Sequence, residues 1–124
     1  MSLILIVEDN EKNMKLVRDV LQAKGYATIE AGTGEDGVRL AGERKPDLVL
    51  MDIQLPGISG IEALRQLRAS RETAGIPAIA VTASVMQQDR KQITEAGFDA
   101  YIGKPINLKE FLETVRAMAE RNPK

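Results

Sequence analysis

Five polar residues in this 124-residue chain stand where short apolar runs end, and their types suit phosphoryl chemistry. They are two adjacent acids, a third acid, a threonine and a lysine, namely Glu8, Asp9, Asp52, Thr82 and Lys104. An apolar run that stops on a polar residue is typical of a buried strand returning to solvent. If these runs are parallel strands of one sheet, we expect all five side chains to meet at one edge.

Three carboxylates held close together repel one another, so they must either take up protons or share a cation. The chain has no Cys and no His, so any metal must be bound by oxygen, and Mg²⁺ is the natural cation for such a set. A cation at this position makes Asp52 a candidate nucleophile for phosphoryl transfer. Carboxylates form aspartyl phosphates, and the reaction mainly demands charge stabilisation. Lys104 would neutralise one phosphoryl oxygen, and the Thr82 hydroxyl would donate a hydrogen bond to another.

Taken singly, each of these residues has a simpler structural interpretation. An acid at a strand end often caps the next helix or favours its first turn. A threonine there is commonly a turn residue, and an isolated lysine is commonly a solvated loop charge. The occurrence of all five at strand ends in one chain favours a shared site over five coincidences.

The elements that must position these residues are five strands alternating with five helices, a pattern that predicts an α/β fold with a parallel sheet covered on both faces. We predict strands over residues 3–7, 26–31, 47–52, 78–82 and 98–103, the second of them at an edge. Helices are predicted to begin near Asn10, Thr33, Ser59, Ser84 and Asn107. The fourth helix is polar for its length, which predicts that it is weakly held.

Composition favours one compact domain over residues 1–124, with 44% hydrophobic residues and a formal net charge of -1. The 17 basic and 18 acidic residues are well mixed and there is no Trp, which argues against a nucleic-acid surface. No apolar run approaches the roughly 20 residues of a membrane span, and the first four residues lack the basic start of a signal peptide. We therefore expect a cytoplasmic protein without nucleic-acid or membrane partners.

The chain resembles the receiver domains of two-component response regulators over essentially its full length. Four motifs, in the family's order and at its usual separations, carry the resemblance: Val7-Glu8-Asp9-Asn10, the segment from Met51 to Gly60, Val81-Thr82-Ala83 and Lys104-Pro105. The resemblance implies a doubly wound, flavodoxin-like (βα)5 fold with strand order 2-1-3-4-5.

The resemblance also implies roles for the acidic residues. Asp52 would be the phosphoacceptor. Asp9, Asp52 and the Gln54 carbonyl would bind Mg²⁺, and Glu8 would hold metal-bound water.

Residues in or just after the last two strands also receive roles from the resemblance. Thr82 and Lys104 would contact the phosphoryl group, and Tyr101 would be the switch aromatic whose rotamer follows Thr82. The family further implies a cis peptide bond before Pro105, which X-Pro chemistry permits.

The function implied is that of a single-domain response regulator, which accepts a phosphoryl group on Asp52 from a phosphohistidine donor and switches protein–protein interactions. A histidine kinase or a histidine phosphotransfer protein would be the donor, and also a target. The motifs are most similar to a regulator of cell division, which indicates a role in cell-cycle or cell-division control. We expect a monomer, with a weak dimer as the alternative. The chain's end soon after the last helix favours a free-standing receiver, although a receiver excised from a longer protein would read the same.

A Mg²⁺-dependent phosphohydrolase with an aspartyl phosphate intermediate is the alternative function. Against it, Gln54 occupies the second position after Asp52, where haloacid-dehalogenase-like phosphatases carry an acid-base Asp, and there is no cap domain. A scaffold that never needs phosphate is disfavoured because all five site residues are present. We therefore expect a protein that catalyses only its own phosphorylation and dephosphorylation, and is otherwise no enzyme.

Overall fold

The computed structural model describes residues 2–82, 87–104 and 106–120, and within them five β-strands alternate with five α-helices. In chain order the elements are β1 Leu3–Val7, α1 Glu11–Ala23, β2 Ala27–Ala31, α2 Gly34–Arg44, β3 Leu48–Asp52, α3 Gly60–Ala69, β4 Ala78–Thr82, α4 Gln87–Ala96, β5 Ala100–Gly103 and α5 Leu108–Glu120. The strict alternation confirms the predicted fold class.

The five strands form one parallel sheet in the order β2-β1-β3-β4-β5, as predicted. The chain first adds β2 on one side of β1 and then adds β3 on its other side, so the strand order reverses between β1 and β3. Ligands of open parallel sheets bind outside the carboxyl ends of the strands at such a reversal. The register pairs Val7 with Met51 and Asp52 with Val81, which brings the ends of β1, β3 and β4 level.

Four helices begin where the sequence predicted, because a side-chain oxygen caps each first turn. The side chains of Asn10, Thr33, Ser59 and Asn107 each accept a hydrogen bond of 3.1 Å from the backbone N–H three residues later. Such caps satisfy amides that have no partner within the helix, and each contributes about 1 kcal/mol. The caps thereby fix where each helix leaves the carboxyl edge of the sheet.

Two layers of helices bury the two faces of the sheet. Helices α1 and α5 cover one face, where Leu21 and Phe111 are fully buried against Ile4. Helices α2, α3 and α4 cover the other face, where Leu64 packs with Met51. Strands β3 and β4 have every residue buried, which explains why each is apolar up to its last residue.

Three strands were predicted to begin too early. Strand β3 begins at Leu48 and not at Asp47. Strand β2 begins at Ala27, because the Tyr26 N–H donates to the Leu21 carbonyl (3.1 Å) and so belongs to the turn that ends α1. Strand β5 begins at Ala100, because the Phe98 N–H still donates to the Ile93 carbonyl of α4 (3.3 Å).

Some expectations fall outside the described residues, namely the start of the fourth helix at Ser84 and the cis bond before Pro105. Within the described ranges, no helix combines the length and the apolar character needed to cross a bilayer.

Candidate functional site

Glu8 follows β1 directly and is 6% exposed. Its backbone N–H donates to the Ala31 carbonyl (3.0 Å), which continues the pairing of β1 with β2 past the end of β1. Its carboxylate accepts from the Asn10 backbone N–H (3.2 Å) and lies 3.1 Å from the Lys104 ammonium. Glu8 is therefore a buried carboxylate held on both oxygens.

Asp52 is the last residue of β3 and is 4% exposed. Its Oδ1 accepts from the Gln54 backbone N–H at 3.0 Å, and its Oδ2 accepts from the Lys104 ammonium at 3.0 Å. The Ile53 N–H donates to the Val81 carbonyl (3.0 Å), so pairing with β4 fixes the backbone just beyond the carboxylate. Asp52 thus has a defined orientation, although a loop begins directly after it.

Lys104 comes directly after β5 and bridges the two buried carboxylates. Its backbone N–H donates to the Thr82 carbonyl (2.8 Å), which ties it to the end of β4, where Thr82 is 3% exposed. Burial alone would lower the pKa of Lys104, but the hydrogen bonds to Asp52 and Glu8 outweigh burial and raise it. Lys104 is consequently a fixed cation at the site.

Three carboxylates could hold a metal ion together. Glu8, Asp9 and Asp52 each offer an oxygen within 4.8 Å of the others, and Asp9 is exposed to solvent. A groove of about 560 Å³ between α1 and the end of β2 opens onto Glu8 and Asp9. An all-oxygen set with access to water fits Mg²⁺, which keeps several water ligands when it binds proteins.

The remaining predicted site residues are Gln54, in the loop after β3, and Tyr101, in β5. Gln54 is exposed, and its backbone N–H, rather than its side chain, contacts Asp52. Tyr101 pairs with Ala80 in the sheet, two residue pairs before the pair of Thr82 with Gly103. The Tyr101 residue is 38% exposed.

Sequence reasoning missed the role of Gly60, which entered it only as the last residue of the motif that begins at Met51. The Gly60 N–H donates to the Ile53 carbonyl (2.9 Å), and a Cβ at Gly60 would overlap the Asp52 carbonyl oxygen and lie 2.8 Å from Ile53 Cα. The signal was a glycine directly after the N-cap Ser59, where a helix by itself requires none. Gly60 lets α3 start against the backbone of the candidate phosphoacceptor.

The pKa of Glu8 is raised to about 7, first by burial and then by its hydrogen bond with Asp52, while the contacts with Lys104 and Asn10 act to lower it. A carboxyl with a raised folded-state pKa stabilises the fold fully below its unfolded-state pKa. That contribution is lost as the pH rises through the folded-state pKa.

We therefore expect that, without divalent metal, the free energy of unfolding falls as the pH rises from 4.5 to about 7. The Glu8 contribution is on the order of 3 kcal/mol, at about 1.4 kcal/mol per pKa unit. Urea unfolding in EDTA across this range measures it, and Glu8→Gln should flatten the slope. The exposed Glu11→Gln is the control and should retain the wild-type slope. Equal slopes for Glu8→Gln and wild type would contradict the assignment.

Comparison with known proteins bears on this geometry. Residues 4–116 match the family described as response regulator receiver domain. The chain is 49% identical over 114 residues to the polar-differentiation response regulator DivK of Brucella ovis, covering 92% of this chain and 93% of that protein.

Solved structures give the same picture. The receiver domain of the sensor histidine kinase PA1611 from Pseudomonas aeruginosa, described with a magnesium ion in its active site cleft, superimposes with a TM-score of 0.90 at 33% identity, over 96% of this chain and 98% of that one. A CheY-like receiver domain protein from Methanospirillum hungatei superimposes with a TM-score of 0.91 at 30% identity, over 98% of this chain and 96% of the other.

Proposed function

Since this chain belongs to the response regulator receiver domain family, we propose that Asp52 is its phosphoacceptor and that phosphorylation there switches its protein contacts. The observation that carries the proposal is the Lys104 ammonium, 3.0 Å from Asp52 and 3.1 Å from Glu8. A fixed cation beside a buried nucleophilic carboxylate stabilises the negative charge of an incoming phosphoryl group, which is the main demand of phosphoryl transfer.

In the proposed reaction, an Asp52 oxygen attacks the phosphorus of the donor. The new oxygen–phosphorus bond forms as the donor's bond to phosphorus breaks, and the leaving group keeps the electron pair. The Gln54 N–H holds Asp52 Oδ1 in place at 3.0 Å, while Lys104 exchanges a carboxylate oxygen for a phosphoryl oxygen. The Thr82 hydroxyl donates to a second phosphoryl oxygen.

We propose that Asp9, Asp52 and the Gln54 carbonyl hold Mg²⁺, with Glu8 binding a water ligand of the metal. When bound, Mg²⁺ would cancel the repulsion among the three carboxylates and would supply positive charge that stabilises the phosphoryl group. The support is the all-oxygen cluster within 4.8 Å and the magnesium described for the related kinase receiver domain.

Stoichiometry tests the function. We expect intact-protein mass spectrometry to show one phosphoryl group per chain after incubation with an acyl phosphate and Mg²⁺, and none with EDTA. The phosphohydrolase alternative predicts continued release of inorganic phosphate from small phosphate esters, which the family match does not favour. Equal labelling without divalent metal would refute the proposed mechanism.

The biological role is proposed from the relatives. Because the polar-differentiation response regulator DivK is matched over 93% of its length, we propose that this chain acts as a single-domain, cytoplasmic regulator of cell division or the cell cycle. A histidine kinase or histidine phosphotransfer protein would supply the phosphoryl group and also serve as target. We propose a monomeric state without nucleic-acid or membrane partners, which sedimentation of the phosphorylated and free protein would test.

We further propose that Thr82 and Tyr101 read out phosphorylation. Their strands are paired, and Gly103 presents no side chain beside Thr82, so a moving threonine leaves space on the Tyr101 side of β5. A partner that prefers the arrangement favoured by phosphorylation must bind the phosphorylated form more tightly. Titrating a cognate histidine kinase against the Mg²⁺ and beryllofluoride form should show this gain, and Thr82→Ala should remove it. An unaltered gain in Thr82→Ala would exclude the coupling.

A further inference from the structure

Arg68, near the end of α3, makes more hydrogen bonds than its role in an amphipathic helix requires, and its side chain is 23% exposed. Nε donates to the Gly97 carbonyl (3.3 Å), Nη1 to the Ala74 and Ile76 carbonyls (3.1 and 2.6 Å), and Nη2 to the Gly97 carbonyl and Asp99 Oδ2 (3.1 and 3.2 Å). These contacts match the five N–H donors of a guanidinium. One side chain thus joins α3, the loop before β4 and the end of α4.

Gly97 has no side chain to hinder the close approach of Arg68. It directly follows α4 with φ +110°, a conformation that favours glycine, and so ends the helix. A Cβ at Gly97 would lie 3.3 Å from both Cγ and Nε of Arg68, closer than a comfortable contact. The guanidinium therefore packs directly on the backbone that terminates α4.

Asp99 extends the same anchor into the sheet. Its Oδ2 accepts from the Ala78 N–H at 2.9 Å as well as from Arg68, and its own N–H donates to the Ala78 carbonyl at 2.8 Å. The start of β4 and the residue before β5 are thereby tied to α3. All of these contacts lie at the amino edge of the sheet, opposite Asp52.

Two residues of α4 are buried close to this anchored end. Ile93 and Ala96 are buried, at 2% and 8% exposure, and both stand in the second half of the helix. At the other end of α4, the first four residues are all polar by sequence, namely Gln87, Gln88, Asp89 and Arg90. The helix is fixed at the end remote from the site.

We propose that Arg68 is a positioning residue that makes Gly97 a pivot, so that phosphorylation displaces α4 only at the end near Thr82. This inference rests on the proposed phosphoacceptor function. A helix fixed at one end converts a small shift beside the phosphoryl group into a tilt. Without the Arg68 contacts, the same shift would move the whole helix, and the change would no longer be confined to one part of the surface.

Amide hydrogen exchange, measured with and without Mg²⁺ and beryllofluoride, tests the pivot. In the wild type we expect exchange rates to change at least threefold within residues 87–92 and less than 1.5-fold within residues 93–99. In Arg68→Gln the change should extend through residues 93–99. Arg39→Gln, which removes an exposed guanidinium 2.9 Å from Glu43 on α2, is the matched control and should behave as the wild type.

The outcomes separate the pivot from a structural role. Simple destabilisation would speed exchange equally with and without beryllofluoride and leave their difference confined to residues 87–92, which would overturn the proposal. Equal changes across residues 87–99 in the wild type would overturn it as well. Arg68→Lys, which keeps the charge near Asp99 but loses the fork of donors, gives the same test if Arg68→Gln does not fold. Absence of any change at Asp52 to Gln54 would instead refute the proposed function.

Discussion

Asp52→Asn should abolish phosphoryl labelling of this chain, because an amide replaces the carboxylate oxygen that forms the new bond. The fold should survive, since asparagine has nearly the same shape and its amide oxygen can still accept from the Gln54 N–H. Removing one charge from a cluster of three carboxylates also relieves repulsion in the absence of metal. Mass spectrometry after reaction with an acyl phosphate and Mg²⁺ measures the loss.

Two further variants define what the loss means. Asp19→Asn removes a carboxylate that is 55% exposed on α1 and should label as the wild type does. Asp9→Asn removes an acid of the cluster without touching the proposed nucleophile, so labelling should continue but require more Mg²⁺. Full labelling of Asp52→Asn would show that another residue accepts the phosphoryl group and would refute the proposed role of Asp52.

Gly60→Ala should destabilise the protein by about 3 kcal/mol, because the added methyl group would meet backbone atoms that have no rotamer to change. Relief requires movement of the Asp52 carbonyl or of the start of α3. Labelling of Asp52 should therefore slow as well, since the carboxylate loses its fixed position beside Lys104. Urea unfolding midpoints and labelling rates are the two measurements.

Gly42→Ala is the matched control for this substitution. Gly42 lies within α2, and a Cβ there would meet no atom within 4 Å. Alanine should therefore stabilise the helix by about 0.5–1 kcal/mol through its higher helix propensity. If Gly60→Ala cost no more than Gly42→Ala, the close approach of α3 to Asp52 would be incorrect.

The sequence by itself determined the elements, their order and the identity of the polar residues at the sheet edge. These features depend on local patterns: unbroken apolar runs make β3 and β4, and side-chain caps such as Ser59 start helices at the carboxyl edge. The parallel topology follows from the alternation of strands and helices, since each crossover returns the chain to the same edge. Motif resemblance supplied the strand order, which local patterns do not contain.

Only the tertiary structure decided how the site residues meet. Lys104 lies almost equally far from Glu8 and Asp52 because three strands end level, and that depends on register between segments far apart in the chain. The raised pKa of Glu8 arises first from burial, which its position after a strand does not reveal. Burial is a property of everything packed around a side chain.

The same reason explains what local patterns misjudged. Arg68 fitted the face of a predicted helix, but its partners Gly97 and Asp99 are 29 and 31 residues away, so no local pattern indicated the anchor. Phe98 looked like the start of a strand, yet its N–H completes the end of α4. Local periodicity indicates which face of an element is apolar. Which backbone groups are already hydrogen-bonded when the next element begins depends on how the whole chain packs.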